Sequence, residues 1–338
     1  MRKTIAAGLF ASVIGILLIL FLPRTSEAQE KYLIRFSTGL PEDHFIMNQY
    51  KECATLIQQR SKGAIKVEIY FSAQLFKDIE VIRAVQMGAV ESASSYSVYL
   101  SKSFPEFLIF HVPFLFKATE ELSKVAKSEI WDSLKKNPEK NNIKILAAFP
   151  WPQEAQGLLS KKSVKVPSDC KGLIARIQDP PQSALIKLWG GGGSYLSGAE
   201  LYMGLQRGTI NGGFGSVATI WERKLYEVAP YFIEIPWGAM MTIPIMNMGF
   251  FNKLPTELQN VVTDAFKEVE GRSNQRAMEE YNAALNMLKG KCNVYKPTKE
   301  EMILWEKDTH PIQISTLESV PNGAELLNRV TSFLKSKN

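Results

Sequence analysis

KVPSDCKGLIARIQDPPQSALIKLWGGGGSYLSGAELYMGLQRGTINGGFGS, residues 165–216, sets a strand, a helix, a turn, a second helix and a short strand in one run. Leu173, Ala175 and Ile177 alternate with Ile174 and Arg176, so a strand here turns its apolar side chains to one face and Arg176 to the other. Asp179 suits an N-cap and Pro180 a first helical position, which predicts a helix to about Trp189, ended by a flexible turn at Gly190 to Gly193. Arg176 then stands near the carboxyl end of a strand that feeds a helix. Open α/β sheets bind ligands there, and a guanidinium can grip a carboxylate with two parallel hydrogen bonds. The alternative reading is an Arg held in a surface ion pair. Further on, Ser197 and Glu200 form a capping box, Leu201 and Leu205 repeat at helical spacing, Gly208 closes the helix, and Thr209 to Phe214 is a short strand or turn.

Working outward, Tyr32–Ser37 reads as a strand, Phe45–Gln59 as an amphipathic helix closed by Gly63, and Ile65–Tyr70 as a half-buried strand. A helix capped by Asp78 runs through Met87, and Ala89–Ala93 makes a third strand. Strand, helix, strand, helix, strand in so short a span implies parallel pairing. Ile143–Phe149 is another strand, after which the broken aromatic run FPWPQ passes the chain into a second, similar unit. Residues 230–244 carry it back, and the unbroken pattern of residues 256–289 predicts a helix of about 45 Å, long enough to lie across both units. A brief strand at 294–296 and a helical, finally polar C-terminal region complete the chain.

The chain has 338 residues, 45% hydrophobic, with a net charge of +6. Arg2 and Lys3 precede an apolar run from Ile5 to Leu22, and Ser26-Glu27-Ala28 offers small residues where a signal peptidase reads. Export with cleavage after about Ala28 is expected, the rival being an uncleaved membrane anchor. Scattered, sign-mixed charges give no nucleic-acid footprint. Cys53, Cys170 and Cys292 lie far apart without a metal-binding spacing, so no metal and no cofactor are expected; one Cys170–Cys292 bridge is the pairing an oxidising compartment leaves open. His44, His111 and His310 have no metal-spaced partner, no Ser sits in a G-x-S-x-G elbow, and the glycine run lacks the Lys-Ser/Thr of a phosphate loop. His111, among apolar neighbours, reads as a core histidine with one hydrogen bond.

The order Pro167-Ser168-Asp169-x-Lys171-Gly172-Leu173-x-x-Arg176, a helix, then Glu200-Leu201-Tyr202-x-x-Leu205-Gln206-x-Gly208 leading into a glycine-containing strand, resembles the periplasmic solute-binding proteins of tripartite ATP-independent periplasmic (TRAP) transporters, of the DctP type. The stretches SAQLFKDIEVIRAVQMGAVESA (72–93) and PEFLIFHVPFLF (105–116) extend the resemblance over nearly the whole mature chain. It implies an α/β, two-lobed periplasmic binding protein fold with a ligand cleft and a long bridging helix. Lobe one is expected from 29–150 and 240–280, and lobe two from 151–239 and 281–338. It further implies a monomeric receptor, not an enzyme, that delivers a small organic acid to the membrane subunits of a TRAP permease, with Arg176 on the carboxylate.

Two departures bear on the ligand. Where better-known members carry a second Arg, this chain has Gln156, and where they have Asp-Gly-Gln-Glu-Asn it has Asn211-Gly212-Gly213-Phe214-Gly215. With Trp151 and Trp237 near the expected cleft and Tyr96 and His44 reaching from lobe one, the site reads as one guanidinium with apolar walls. The expected ligand is a monocarboxylate with an aromatic or aliphatic body. The functional alternative is an exported enzyme acting on a small carboxylate.

Overall fold

The computed structural model describes residues 31–196, 198 and 200–336. The expected leader at residues 1–28, and Ser197 of the expected capping box, lie outside them.

The first sheet grows from the predicted βαβ units: β1 (Tyr32–Ser37), α1 (Phe45–Arg60), β2 (Ile65–Tyr70), α2 (Val81–Gln86) and β3 (Ser92–Tyr96). β1 pairs in parallel with both β2 and β3. Two boundaries differ from the expectation. β3 starts at Ser92 because Gly88, at φ +73°, opens a turn in which the Ala89 N–H bonds back to the Ala84 carbonyl. α2 starts at Val81 because the N–H groups of Glu80 and Val81 both bond Lys77, leaving Asp78 outside the helix. There follow α3 (Ser97–Ser103), a 3-10 turn at Pro105–His111, α4 (Thr119–Ala126), α5 (Glu129–Lys140), β4 (Ile143–Ile145) and β5 (Phe149–Pro150). The single strand expected over 143–149 is interrupted where the Ala148 N–H turns to the Glu270 carboxylate.

The second sheet contains β6 (Gln156–Ser160), β7 (Ile174–Ile177), β8 (Gly192–Tyr195), β9 (Gly212–Ser216) and β10 (Tyr231–Glu234), with α6 (Pro180–Leu188), α7 (Leu201–Arg207) and α8 (Val217–Glu222) between them. As expected, the Asp179 carboxylate caps α6 by accepting the Gln182 N–H at 2.9 Å. The glycine run is not a mere turn: Gly192 and Gly193 begin β8, an edge strand parallel to β7. β11 (Met241–Asn247) then returns to the first sheet, between β3 and β4, and is followed by α9 (Met248–Lys253) and α10 (Thr256–Leu288). β12 (Asn293–Tyr295) extends the second sheet, and α11 (Lys299–Glu306), α12 (His310–Thr316) and α13 (Gly323–Ser336) end the described chain. The strand orders are β2-β1-β3-β11-β4, with β5 also on β11, and β12-β10-β6-β9-β7-β8.

These two sheets are the cores of two lobes. The chain passes between them at residues 151–155, at 235–240 and along α10. The 33 residues of α10 reach about 50 Å. Val262, Phe266 and Val269 pack in the same apolar cluster as Ile34 and Phe36 of the first sheet, and so do Tyr281 and Leu288 with Leu159 and Phe232 of the second. The buried Tyr281 hydroxyl donates to Glu234 Oε1 at 2.6 Å, pinning the helix to lobe two. One boundary departs from the sequence reading. Residues 281–338 do not all go to lobe two, because Leu326, Val330 and Leu334 of α13, an i, i+4 stripe, are buried in the cluster of the first sheet. Cys53, Cys170 and Cys292 are free thiols, so the Cys170–Cys292 bridge is not formed.

Candidate functional site

Arg176 lies on β7 opposite Gly213 of β9. Pairing residues share a face, and a Cβ added at Gly213 would stand 3.2 Å from the Arg176 Cβ, so the bare backbone makes room for the arginine stem. The side chain is 7% exposed, and its Nε donates to the Leu196 carbonyl at 2.9 Å. No carboxylate of a described residue comes within ion-pair distance of it. Burial holds its pKa down to about 10, while Tyr99 and Asp179 pull the other way and the charge of Arg223 adds to the depression. The surface ion-pair reading therefore does not hold.

Lobe one supplies a linked set of rings, of which Tyr99 is near enough for its charge to act on Arg176. Tyr96, at the end of β3, contacts Tyr99 (5.7 Å between centroids) and Trp151 (6.3 Å). Trp151 touches Phe45 and His44, and its indole N–H donates to Thr242 Oγ1 at 2.6 Å, which fixes the ring. His44 is the N-cap of α1: its Nδ1 accepts the Ile46 N–H at 3.2 Å, and its Nε2 stands 3.5 Å from Glu222 of lobe two. Burial, with the charge of Arg223 second, lowers the imidazole pKa to about 3, so His44 is neutral. Burial raises the Glu222 carboxyl to about 7, helped by Glu280 and opposed by Arg223. Asp78 is likewise raised by burial.

Three sequence-predicted residues are placed differently. Phe214 pairs on the face opposite to Arg176 because strand neighbours alternate, and it packs 5.1 Å from Trp237 and 6.1 Å from Trp189. Phe214 and Trp237 are 1% and 2% exposed within the lobe-two core, although the Trp237 indole N–H finds no partner among the described residues. Gln156 is buried at the start of β6, its amide reaching only the Pro152 carbonyl at 3.4 Å. Trp151, Tyr96 and His44 are joined by ring contacts, and Tyr99 beside Tyr96 is near enough for its charge to act on Arg176, whereas Phe214 and Trp237 pack in the lobe-two core and Gln156 is buried at the start of β6.

Arg223 is the residue that sequence reading missed. It follows α8, one short helix beyond the carboxyl end of β9, and so reaches the same edge of the sheet as Arg176. That position was the available signal, obscured because Glu222-Arg223-Lys224 looks like an ordinary solvated charge run.

A second constellation also went unforeseen. Ser97 Oγ lies 3.2 Å from His111 Nε2, and His111 Nδ1 lies 2.7 Å from Asp179 Oδ2, the order of a nucleophile, a base and its orienting acid. Ser97 and His111 are 0% and 1% exposed, and Ser97 Oγ already accepts the Met241 N–H at 3.4 Å. Buried in this way, the trio forms a hydrogen-bonded strut from lobe one to lobe two. His111 is thus a core histidine, with two partners rather than the one expected. A surface recess of about 300 Å³ bounded by Lys165, Tyr231 and Asn293 sits at the β12 edge of the second sheet, away from β7, and shares no residue with the Arg176 cluster.

Comparison with known proteins agrees with this architecture. Residues 36–316 match the bacterial extracellular solute-binding proteins, family 7 (DctP). The chain is 28% identical over 305 residues to the C4-dicarboxylate-binding periplasmic protein DctP of Rhodobacter capsulatus, covering 89% of this chain and 90% of that one. It is 24% identical over 283 residues to the 2,3-diketo-L-gulonate-binding periplasmic protein YiaO of Escherichia coli, covering 83% and 85%. Its fold superposes on a TRAP periplasmic solute-binding protein of Ochrobactrum anthropi with a TM-score of 0.83 at 25% identity, covering 91% and 96%. The chain therefore belongs to family 7 of the bacterial extracellular solute-binding proteins, the receptors of TRAP transporters.

Proposed function

We propose that this receptor grips the carboxylate of a small organic acid with Arg176, closes its lobes over it and hands it unchanged to the membrane subunits of a TRAP permease. The observation that carries the reading is a guanidinium 7% exposed, beside Tyr99 of lobe one, with no carboxylate partner among the described residues. A buried charge without a counterion is costly, and a ligand carboxylate would relieve that cost with two charge-assisted hydrogen bonds. The two relatives named for C4-dicarboxylate and for 2,3-diketo-L-gulonate share little chemistry beyond a carboxylate, which suits an anchor of this kind. Lobe one (29–150 and 240–280) and lobe two (151–239 with β12) would move about residues 151–155 and 235–240. In this reading the chain is exported, cleaved after about Ala28, and acts as a monomer in the periplasm.

For the body of the ligand, Trp151 and Tyr96 support an aromatic or aliphatic surface, whereas Phe214 and Trp237 no longer do. The premise of a single cation behind the monocarboxylate expectation is weakened by Arg223. A thermal-shift screen of the mature protein across mono-, di- and sugar acids, each beside its amide or alcohol analogue, tests the assignment. Acids should stabilise and their neutral analogues should not, and mass spectrometry should recover each acid unchanged. No shift with any acid, or conversion of one, would contradict it.

A further inference from the structure

Both crossings between the lobes meet at one buried junction. The Trp151 N–H donates to the Met240 carbonyl at 3.0 Å, so the segments at 151–155 and 235–240 are bonded to each other. Gln153 is buried, its amide donates to the carbonyls of Gly238 and Phe116, each at 3.1 Å, and the Phe110 carbonyl accepts the Ala239 N–H at 2.7 Å. The run from Pro105 to Phe116 is thereby tied to both crossings. It also enters both cores: Phe107 and Phe110 lie in the cluster of the first sheet, and Phe114 in that of the second, 6.5 Å from Trp189. His111 belongs to this run, and a Cβ added at Gly238 would stand 3.9 Å from its Cα. The strut from His111 to Asp179 therefore joins the lobes at the crossings, where a rotation displaces groups least. Breaking it would be costly. The buried Asp179 side chain would keep only the Gln182 N–H among its described partners, whereas His44 and Glu222, 3.5 Å apart with the acid side chain 27% exposed, can part with water replacing the contact.

We propose that the His111–Asp179 bond is the pin of the interlobe hinge: it stays formed as the lobes open and close, and it keeps the end of the strand that carries Arg176 in register with lobe one. This rests on the reading of lobe closure given above. Both are positioning residues, because neither side chain is open to an incoming acid. Asp179 follows Arg176 by three residues, and its second oxygen, accepting the Gln182 N–H, fixes the start of α6, so a displacement of Asp179 is a displacement of the strand end. Without the pin, ligand-free lobes sample orientations in which Arg176 no longer meets lobe one, and affinity for every acid falls with the fraction of competent molecules.

The chain has three histidines, which makes their ring nitrogens a direct readout. Long-range proton–nitrogen spectra of the mature protein, recorded without acid and with succinate or benzoate, follow them, the His111 signal being assigned by its loss in His111→Gln. The His111 Nδ1–H should keep one shift and stay protected from water exchange in both states, while the loosely held His44 shifts. A His111 proton that shifts, or that exchanges with water in either state, overturns the proposal. A second measurement needs no acid: spin labels at Lys140→Cys of lobe one and Lys187→Cys of lobe two, both exposed positions, report the interlobe distance in a Cys292→Ser background. His111→Gln and Asp179→Asn should broaden the ligand-free distribution and weaken every acid alike, by about tenfold if about one molecule in ten keeps the competent arrangement. A distribution as narrow as that of the wild type would leave a merely structural contact, and a loss that differs between acids would leave a ligand contact; either overturns the proposal. If the variants fail to fold, the wild-type spectra decide, and if neither acid binds, the label distances do. A bound acid that moves neither His44 nor the interlobe distance is a different failure. It removes lobe closure itself, and the present inference with it.

Discussion

Replacing Arg176 by Met should stabilise the ligand-free protein while abolishing binding. Burial lowers the Arg176 pKa from the ordinary guanidinium range to about 10. At 1.36 kcal/mol per unit, a shift of that size places the cost of the buried charge on the order of 3 kcal/mol. Relaxation and the lost Leu196 contact reduce the gain from its removal to about 1–2 kcal/mol, or a few degrees in Tm. A base with a depressed folded pKa costs stability at every pH below that value and stops doing so only as pH rises from about 10 toward the ordinary guanidinium range. The gain should therefore be constant between pH 6 and pH 8. Urea melts at pH 7, on protein stripped of ligand by unfolding and refolding, measure it. Saturating ligand should then invert the order, since a ligand at 100 times its Kd adds about 2.7 kcal/mol to the wild type and nothing to the variant. An Arg176→Met protein that is less stable without ligand, and still shifted by it, would make Arg176 a structural residue and refute the reasoning.

Other substitutions probe the frame around the site. Glu270 accepts the Ala148 N–H at 2.6 Å, and burial raises its pKa to about 7, so between pH 4.5 and 7 the folded state holds more protons than the unfolded one and stability falls as pH rises. Glu270→Gln keeps an acceptor without the charge; it should be about 1 kcal/mol more stable than wild type at pH 8 and equal to it at pH 4.5, read from paired thermal melts. Asp179→Ala removes both the cap on Gln182 and the partner of His111, for a cost of about 3 kcal/mol in urea melts; Asp179→Asn, which can still cap, should lie between it and wild type. Ser97→Ala should leave every acid-induced thermal shift in place, because Ser97 is buried in the strut and is none of the proposed ligand contacts. Loss of a chemical conversion in that variant would revive the exported-enzyme reading.

Local chemistry made part of this molecule legible. Asp179 and Pro180 stop one strand and start one helix whatever surrounds them, and the unbroken stripe through Val262, Phe266 and Val269 needs no tertiary knowledge to read as a helix. The glycines of β8 carry no side-chain alternation, so only their pairing with Ile174 and Ala175 reveals a strand. β3, a run of small polar residues that is buried throughout, likewise lacks the pattern of a half-exposed strand. α13 announces an apolar stripe but not which sheet covers it. At the site, Arg176 was readable because a cation at the end of a buried strand is conspicuous. Arg223 was not, since a cation in an exposed charge run becomes notable only when the fold turns it toward another guanidinium. Phe214 looked like a pocket wall until the Arg176–Gly213 pairing fixed the face it points to.

The central claim is that Arg176 holds the ligand carboxylate through its planar fork. Calorimetric titration of an acid identified in the thermal-shift screen into wild type, Arg176→Lys and Arg176→Ala addresses it most directly. Both variants should lose roughly 2–5 kcal/mol of binding free energy with the fold intact, the ammonium failing to replace two parallel donors. Retention of affinity within tenfold of wild type by both variants would contradict the account.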